Sequence, residues 1–203
     1  MAQPSWVPDD ETKPAPMPLL VVQSFVNTWE GDSGTDLLAD PASAGPWFRD
    51  AGLLEAAEVE VEVGDLAAVR EAREAIRAML VDNAGGPAPD RATMDALGTL
   101  AQRCRLQPVL AADGGVELRP VDGFGADGLA TLLLIIRDAQ RDGTWARLKA
   151  CRNPDCRWAY YDRSHAGRGA WCDMAVCGNR IKNRNLRSRR TGGIRDADAK
   201  LSG

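Results

Sequence analysis

The chain has 203 residues, 44% apolar and 27% charged, with five cysteines and one histidine, which suits a soluble protein of one domain plus an appendage or of two small domains. No stretch approaches the ~18 apolar residues of a membrane span, and no charged N-terminal region leads into a cleavable apolar segment, so a cytoplasmic protein without a membrane partner is expected. The net charge of -4 divides sharply: residues 1–144 hold 24 acidic against 11 basic residues, and residues 145–195 hold 13 basic against 3 acidic, which points the basic part at a polyanion.

Residues 1–18 contain five prolines and few large apolar groups, the composition of a disordered, loosely attached tail. Order is expected from Leu19-Leu20-Val21-Val22 onward, leading into Phe25-Val26-Asn27-Thr28-Trp29 and a turn-forming cluster at 31–34. Residues 36–50 suit one or two short helices burying Leu37, Leu38, Trp47 and Phe48. Val59, Val61 and Val63 alternate with glutamates, a half-buried strand pattern, and Gly64 ends it. Asp65 can cap a helix whose apolar positions 66, 69, 72, 76, 79 and 80 share one face, with Arg70, Arg73, Glu74 and Arg77 largely off it and facing solvent. Asp90 caps a further helix running to about Cys104. Segments 106–110 and 116–120 flank Asp113-Gly114-Gly115 as a β-hairpin, and residues 126–140 form a strongly apolar helix expected at the centre of the core. The fold class is therefore mainly α with a small β-hairpin: a helical N-terminal domain followed by a small cysteine-bearing unit.

Cys151 and Cys156 form one close pair, Cys172 and Cys177 another, with 15 residues between the pairs. Two such clips facing each other across a loop make a tetrahedral structural site, which suits a single Zn2+ held by four thiolates. Two disulfides are disfavoured in a cytosolic protein, and an iron–sulfur cluster on the same thiolates is the other metal reading. His165 lies in the loop and is not needed once four cysteines complete the shell, and Cys104 stands apart as a small apolar residue. After Cys177, Gly178 permits a tight turn, and 179–190 carries six cations and no acid. Asn179, Arg180, Lys182, Arg184, Arg187, Arg189 and Arg190 are the candidate nucleic-acid contacts, with Arg152, Arg157, Arg163 and Arg168 able to add phosphate contacts from the loops.

The run Cys151-Arg-Asn-Pro-Asp-Cys156-Arg-Trp-Ala-Tyr-Tyr-Asp162-Arg-Ser164, followed by Trp171-Cys172-Asp-Met-Ala-Val-Cys177-Gly178-Asn179-Arg180, resembles the CGNR-type zinc finger. Phe25-Val-Asn27-Thr28 followed by Asp36-Leu37-Leu38 is similar to the opening of the ABATE domain that precedes this finger in its family. The resemblance implies a stress-induced transcriptional regulator whose finger binds duplex DNA. Composition, charge and cysteine content, taken with this resemblance, divide the chain into a disordered tail (1–18), a helical ABATE-like domain that senses a ligand or dimerises (19–144), a finger with a basic C-terminal helix (145–190) and a flexible tail (191–203).

Asn27, Thr28, Trp29, Asp32 and Asp36 gather polar groups beside apolar ones, either as the mouth of a pocket for a small-molecule effector or as turn and core residues. A homodimer is the other partnership implied. RNA is the alternative nucleic acid, with Trp158, Tyr160, Tyr161 and Trp171 available for stacking or for packing around the metal. The competing function is a zinc-stabilised interaction module whose basic tail docks on an acidic protein surface, its own N-terminal domain included. Catalysis is not expected, because no nucleophile motif or phosphate loop is present and four cysteines close the metal shell.

Overall fold

A computed structural model describes residues 4–9, 11–54, 63–121 and 126–184. The helices are α1 (Leu19–Val26), α2 (Pro41–Asp50), α3 (Val63–Asn83), α4 (Arg91–Ala101) and α5 (Ala126–Asp142). Two antiparallel hairpins accompany them, β1 (Leu106–Leu110) with β2 (Val116–Pro120) and β3 (Leu148–Ala150) with β4 (Ala159–Tyr161). None of the described helices is long and apolar enough to cross a membrane.

The centre of the core is α1, not α5. All eight α1 residues are buried, and its Phe25 meets Trp47 and Phe48 of α2 at ring separations of 6.1 and 6.4 Å. A helix apolar on every side must be enclosed on every side. α5 gives the core Leu132, Ile136 and Ala139, while Leu133, Leu134 and Ile135 are half-buried.

Local signals account for the helix ends. Asp40 accepts hydrogen bonds from the Ala42 and Ser43 N–H groups, with Pro41 at the first helical position of α2. That helix closes through Gly52, at φ +70°, whose N–H reaches the Arg49 carbonyl while Leu53 N–H reaches Phe48. Asp90 caps α4 through the Thr93 N–H.

Several expectations need correction. α3 already includes Val63, so Asp65 sits inside its first turn; residues 55–62, with the rest of the expected strand, lie outside the described residues. Leu37 is exposed although Leu38 is fully buried, since the chain turns between them on the way to α2. Arg73 and Arg77 are buried because α3 packs α1 and β3 as well as α4 and therefore has little solvent face at its middle.

The proline-rich segment is not loose over residues 11–18. Val7 and Ala15 are in the core, Gln23 accepts from Ala15 N–H and donates to the Lys13 carbonyl, and Lys13 O accepts from Tyr161 N–H beside β4. Prolines reduce the entropy lost on ordering an extended strap, and fixed partners on α1 and β4 hold it. Nor is the charge boundary near Trp145 a structural gap. Trp145, Leu148, Ala150 and Ala159 belong to the same core cluster as α1 and α2, and Asn83 donates to the carbonyls of Trp145 and Leu148, both at 2.9 Å.

Candidate metal centre and basic helix

The first cysteine pair brackets a turn built on Asn153. Its carbonyl accepts from the N–H groups of Cys156 and Arg157, both at 3.0 Å, and Arg157 takes a left-handed φ of +52° to leave the turn. The second pair is organised by Asp173. Its carboxylate accepts from Val176 N–H at 2.8 Å, and its carbonyl from Cys177 and Gly178 N–H, winding Met174–Gly178 into one wide helical turn. Gly178 is not left-handed, contrary to the tight-turn expectation. A Cβ there would come within 3.2 Å of the Trp171 ring and would displace the exposed Met174 side chain.

These turns bring the sulfurs of Cys151, Cys156, Cys172 and Cys177 within 4.8 Å of one another, with Cys156–Cys172 at 3.6 Å and Cys172–Cys177 at 3.7 Å. A tetrahedral zinc with bonds of about 2.3 Å has sulfur–sulfur edges of about 3.8 Å, so the donor set fits that ion. Three of the thiols are buried, Cys172 is half-buried, and Asn153 Nδ2 points at the Cys177 sulfur from 3.7 Å. Such close sulfurs resist ionising together. Thiol hydrogens from Cys156 and Cys172 favour the Cys151 thiolate and lower its pKa, whereas the neighbouring Cys151 sulfur pushes that of Cys156 up. A divalent cation removes that conflict by replacing the shared protons. His165 is exposed in the loop, away from this shell.

The loop between the pairs is anchored by a buried ion pair. Lys149 Nζ lies 2.8 Å from Asp162 and 2.6 Å from the Gly167 carbonyl. Asp162 also accepts from Ser164 N–H and Gly169 N–H, and a Cβ at residue 169 would collide with its carboxylate. Burial alone would raise the Asp162 pKa, but these donors hold it well below the usual carboxylate range.

Three links join the helical part to the metal turns. Asn27 donates to the Ala159 carbonyl at 2.9 Å and accepts from Ala159 N–H at 2.7 Å. A side chain on Gly31 would run into the Asp155 and Cys156 carbonyls, so loop 30–35 lies directly on the first metal turn. Arg77, 1% exposed, donates to the Val26 carbonyl at 2.7 Å and to the Arg157 carbonyl at 3.0 Å, with its guanidinium 4.9 Å from the Trp29 ring. The cluster read as a pocket mouth is thus largely spent on the protein itself: Thr28 accepts from Arg73, and Asp36 accepts from both Arg73 terminal nitrogens at 2.6 and 2.9 Å. Asn27 borders an opening, a cleft of about 220 Å³ beneath Trp6 and Val7.

The chain continues from the second metal turn into helix over residues 179–184. Asn179 and Lys182 are exposed. Arg180 reaches Asp32 at 2.9 Å, Arg184 pairs with Asp155, and both pairs are solvent-accessible. Arg187, Arg189 and Arg190 lie outside the described residues. Among the loop cations, Arg152 donates to Ala84 O and Arg163 to Pro14 O, while Arg157 and Arg168 are exposed. Sequence reasoning missed Lys149 and Asp155, and it gave Arg77 and Asp32 no link to the metal turns. The Asp162-x-Ser164 spacing was the one local sign of the buried ion pair, through its turn hydrogen bond.

Residues 21–141 match the family model ABATE, described as "Putative stress-induced transcription regulator", and residues 147–190 match the CGNR zinc finger. Both matches fall where the motif resemblance places them, and neither description is that of an enzyme. No curated protein matches the chain.

Proposed function

We propose, because this chain belongs to the ABATE family and carries a CGNR zinc finger, that it is a transcription regulator binding duplex DNA through the helix that leaves the second metal turn. The observation that carries this reading is the direct continuation of Cys177 into exposed Asn179, Lys182 and Arg184, with Arg187, Arg189 and Arg190 following in sequence. Bound zinc supplies the cross-link between the two turns. Asp173 and Gly178 aim the start of the helix, and Lys149 with Asp162 fixes the loop beside it. Cations on a groove-sized helix neutralise phosphates, and Asn and Arg side chains can contact base edges.

Arg180 and Arg184 engage Asp32 and Asp155 on the surface, which favours one second reading: the basic run docks on acidic protein, its own N-terminal part included. Exposed ion pairs are weak and screened by salt, so phosphates can displace both carboxylates. An isolated finger is a poor test, since β3 and β4 sit in the shared core. The test is the full-length double variant Lys182→Glu, Arg184→Glu. Regulator function predicts much weaker duplex binding and a salt slope reduced by about 0.9 per lost phosphate contact, with zinc retained. Unchanged affinity and slope would move the interface elsewhere. The N-terminal part senses a small molecule or dimerises in this reading. The cleft beside Asn27, under Trp6, Val7 and Trp47, is where an effector would sit.

A further inference from the structure

The hairpin β1–β2 has two chemically different faces. In its register Leu106 faces Pro120, Pro108 faces Leu118 and Leu110 faces Val116, and with period-two alternation these six residues share one side. Every one is apolar. The intervening pairs, Gln107 with Arg119 and Val109 with Glu117, make the other side, where Arg119 donates to Glu117 at 2.9 Å. The apolar side is open: Leu110 is 77% exposed, Val116 68%, and Leu106 and Leu118 41% each. A two-stranded hairpin is marginal in water until an apolar face is covered. This face, with Pro108 exposed as well, offers roughly 450 Å² of apolar surface, the size at which an exposed patch marks an interface.

We propose that two copies of the chain meet through this face about a two-fold axis, each hairpin laying Leu106, Leu110, Val116 and Leu118 on those of the other. Charge and area select a second copy. The face is neutral, so two identical faces meet without repulsion, whereas the -13 carried by residues 1–144 opposes two-fold contacts of one acidic surface on another. The chain's own remaining segments are chemically unsuited: residues 185–203 hold seven charged residues against three large aliphatics, and residues 55–62 hold four glutamates. Two such faces closing together remove roughly 900 Å² of apolar surface, and their polar rims bring the total near the ~1,200 Å² of the smaller specific interfaces. This locates the dimerisation named above as one role of the N-terminal part, and it rests on that role and not on nucleic-acid binding.

The experiment is sedimentation equilibrium of the full-length, zinc-loaded protein from about 1 to 100 µM, for wild type, Leu110→Asp and Arg119→Ala. Leu110 is so exposed that an aspartate there leaves the monomer fold intact, which near-UV circular dichroism checks. Wild type and Arg119→Ala are expected at twice the 21.8 kDa chain mass, and Leu110→Asp at the monomer mass, its dimer weakened at least about 100-fold. A wild type that stays monomeric at about 100 µM, or a Leu110→Asp variant that stays dimeric, overturns the proposal. Duplex binding followed on the same samples separates the two claims: a dimer that ignores DNA defeats the regulator reading alone, and a monomer that binds DNA defeats the dimer alone.

Discussion

Arg77→Met removes a buried guanidinium while keeping an unbranched apolar side chain in its place. Arg77 satisfies the carbonyl of Val26, an orphan at the end of α1, and the carbonyl of Arg157, the residue after a metal cysteine. Leaving two buried carbonyls unpaired costs about 1–3 kcal/mol each, and the lost stacking on Trp29 adds about 1 kcal/mol. Relief of the guanidinium's desolvation offsets part of that, so the net loss is set at about 3–5 kcal/mol. Urea unfolding of the zinc-loaded protein, read by tryptophan fluorescence and by zinc release to a chromogenic chelator, measures it. Both signals should shift together to lower urea, because the same side chain ties α1, α3 and the first metal turn. Arg77→Lys should recover only part of the loss, since an ammonium cannot present the planar fork that reaches both carbonyls. A change below about 1 kcal/mol, or unfolding of the helical part at lower urea with zinc release unmoved, would refute the claim that this residue couples the two regions.

Two further outcomes follow from the geometry. Asp162→Asn should cost about 3 kcal/mol at pH 7 by leaving Lys149 buried without its counter-charge. The Asp162 pKa is depressed in the folded protein, so its stabilisation is present above about pH 4 and is lost as pH falls toward the depressed value. The stability gap between wild type and Asp162→Asn should therefore hold from neutral pH to about 4 and narrow below it; a gap that widens on acidification would reverse the assignment. Asp32→Asn frees Arg180 from its carboxylate and should tighten duplex binding several-fold at low salt, the gain fading as salt screens the pair. Weaker binding in that variant would mean that Asp32 positions Arg180 for DNA instead of competing with it.

Much of the fold was legible because its signals are local. Asp90 at a helix start, Asp113-Gly114-Gly115 between two strands and the cysteine spacing each act within a few residues, and each appears where its chemistry requires. The larger errors concern distant partners. A helical arginine such as Arg77 reads as solvent-facing until two carbonyls 51 and 80 residues away turn out to lie over it. The proline-rich strap reads as disordered because its composition gives no sign that Gln23, Trp171 and Tyr161 will hold it. Asn27 and Asp36 stand out in the sequence as polar groups beside apolar ones, and in the fold they form joints within the protein: one grips the backbone of β4 and the other a buried arginine.

The proposed function requires zinc-dependent folding of the two cysteine turns to present a basic helix to DNA. Fluorescence anisotropy of the full-length protein on mixed-sequence duplex DNA, titrated with salt before and after zinc removal, tests this. Binding should require zinc and weaken steeply with salt, log K falling by about 0.9 per phosphate neutralised. No binding at low salt by the folded, zinc-loaded protein would contradict it and leave the basic helix to a protein surface.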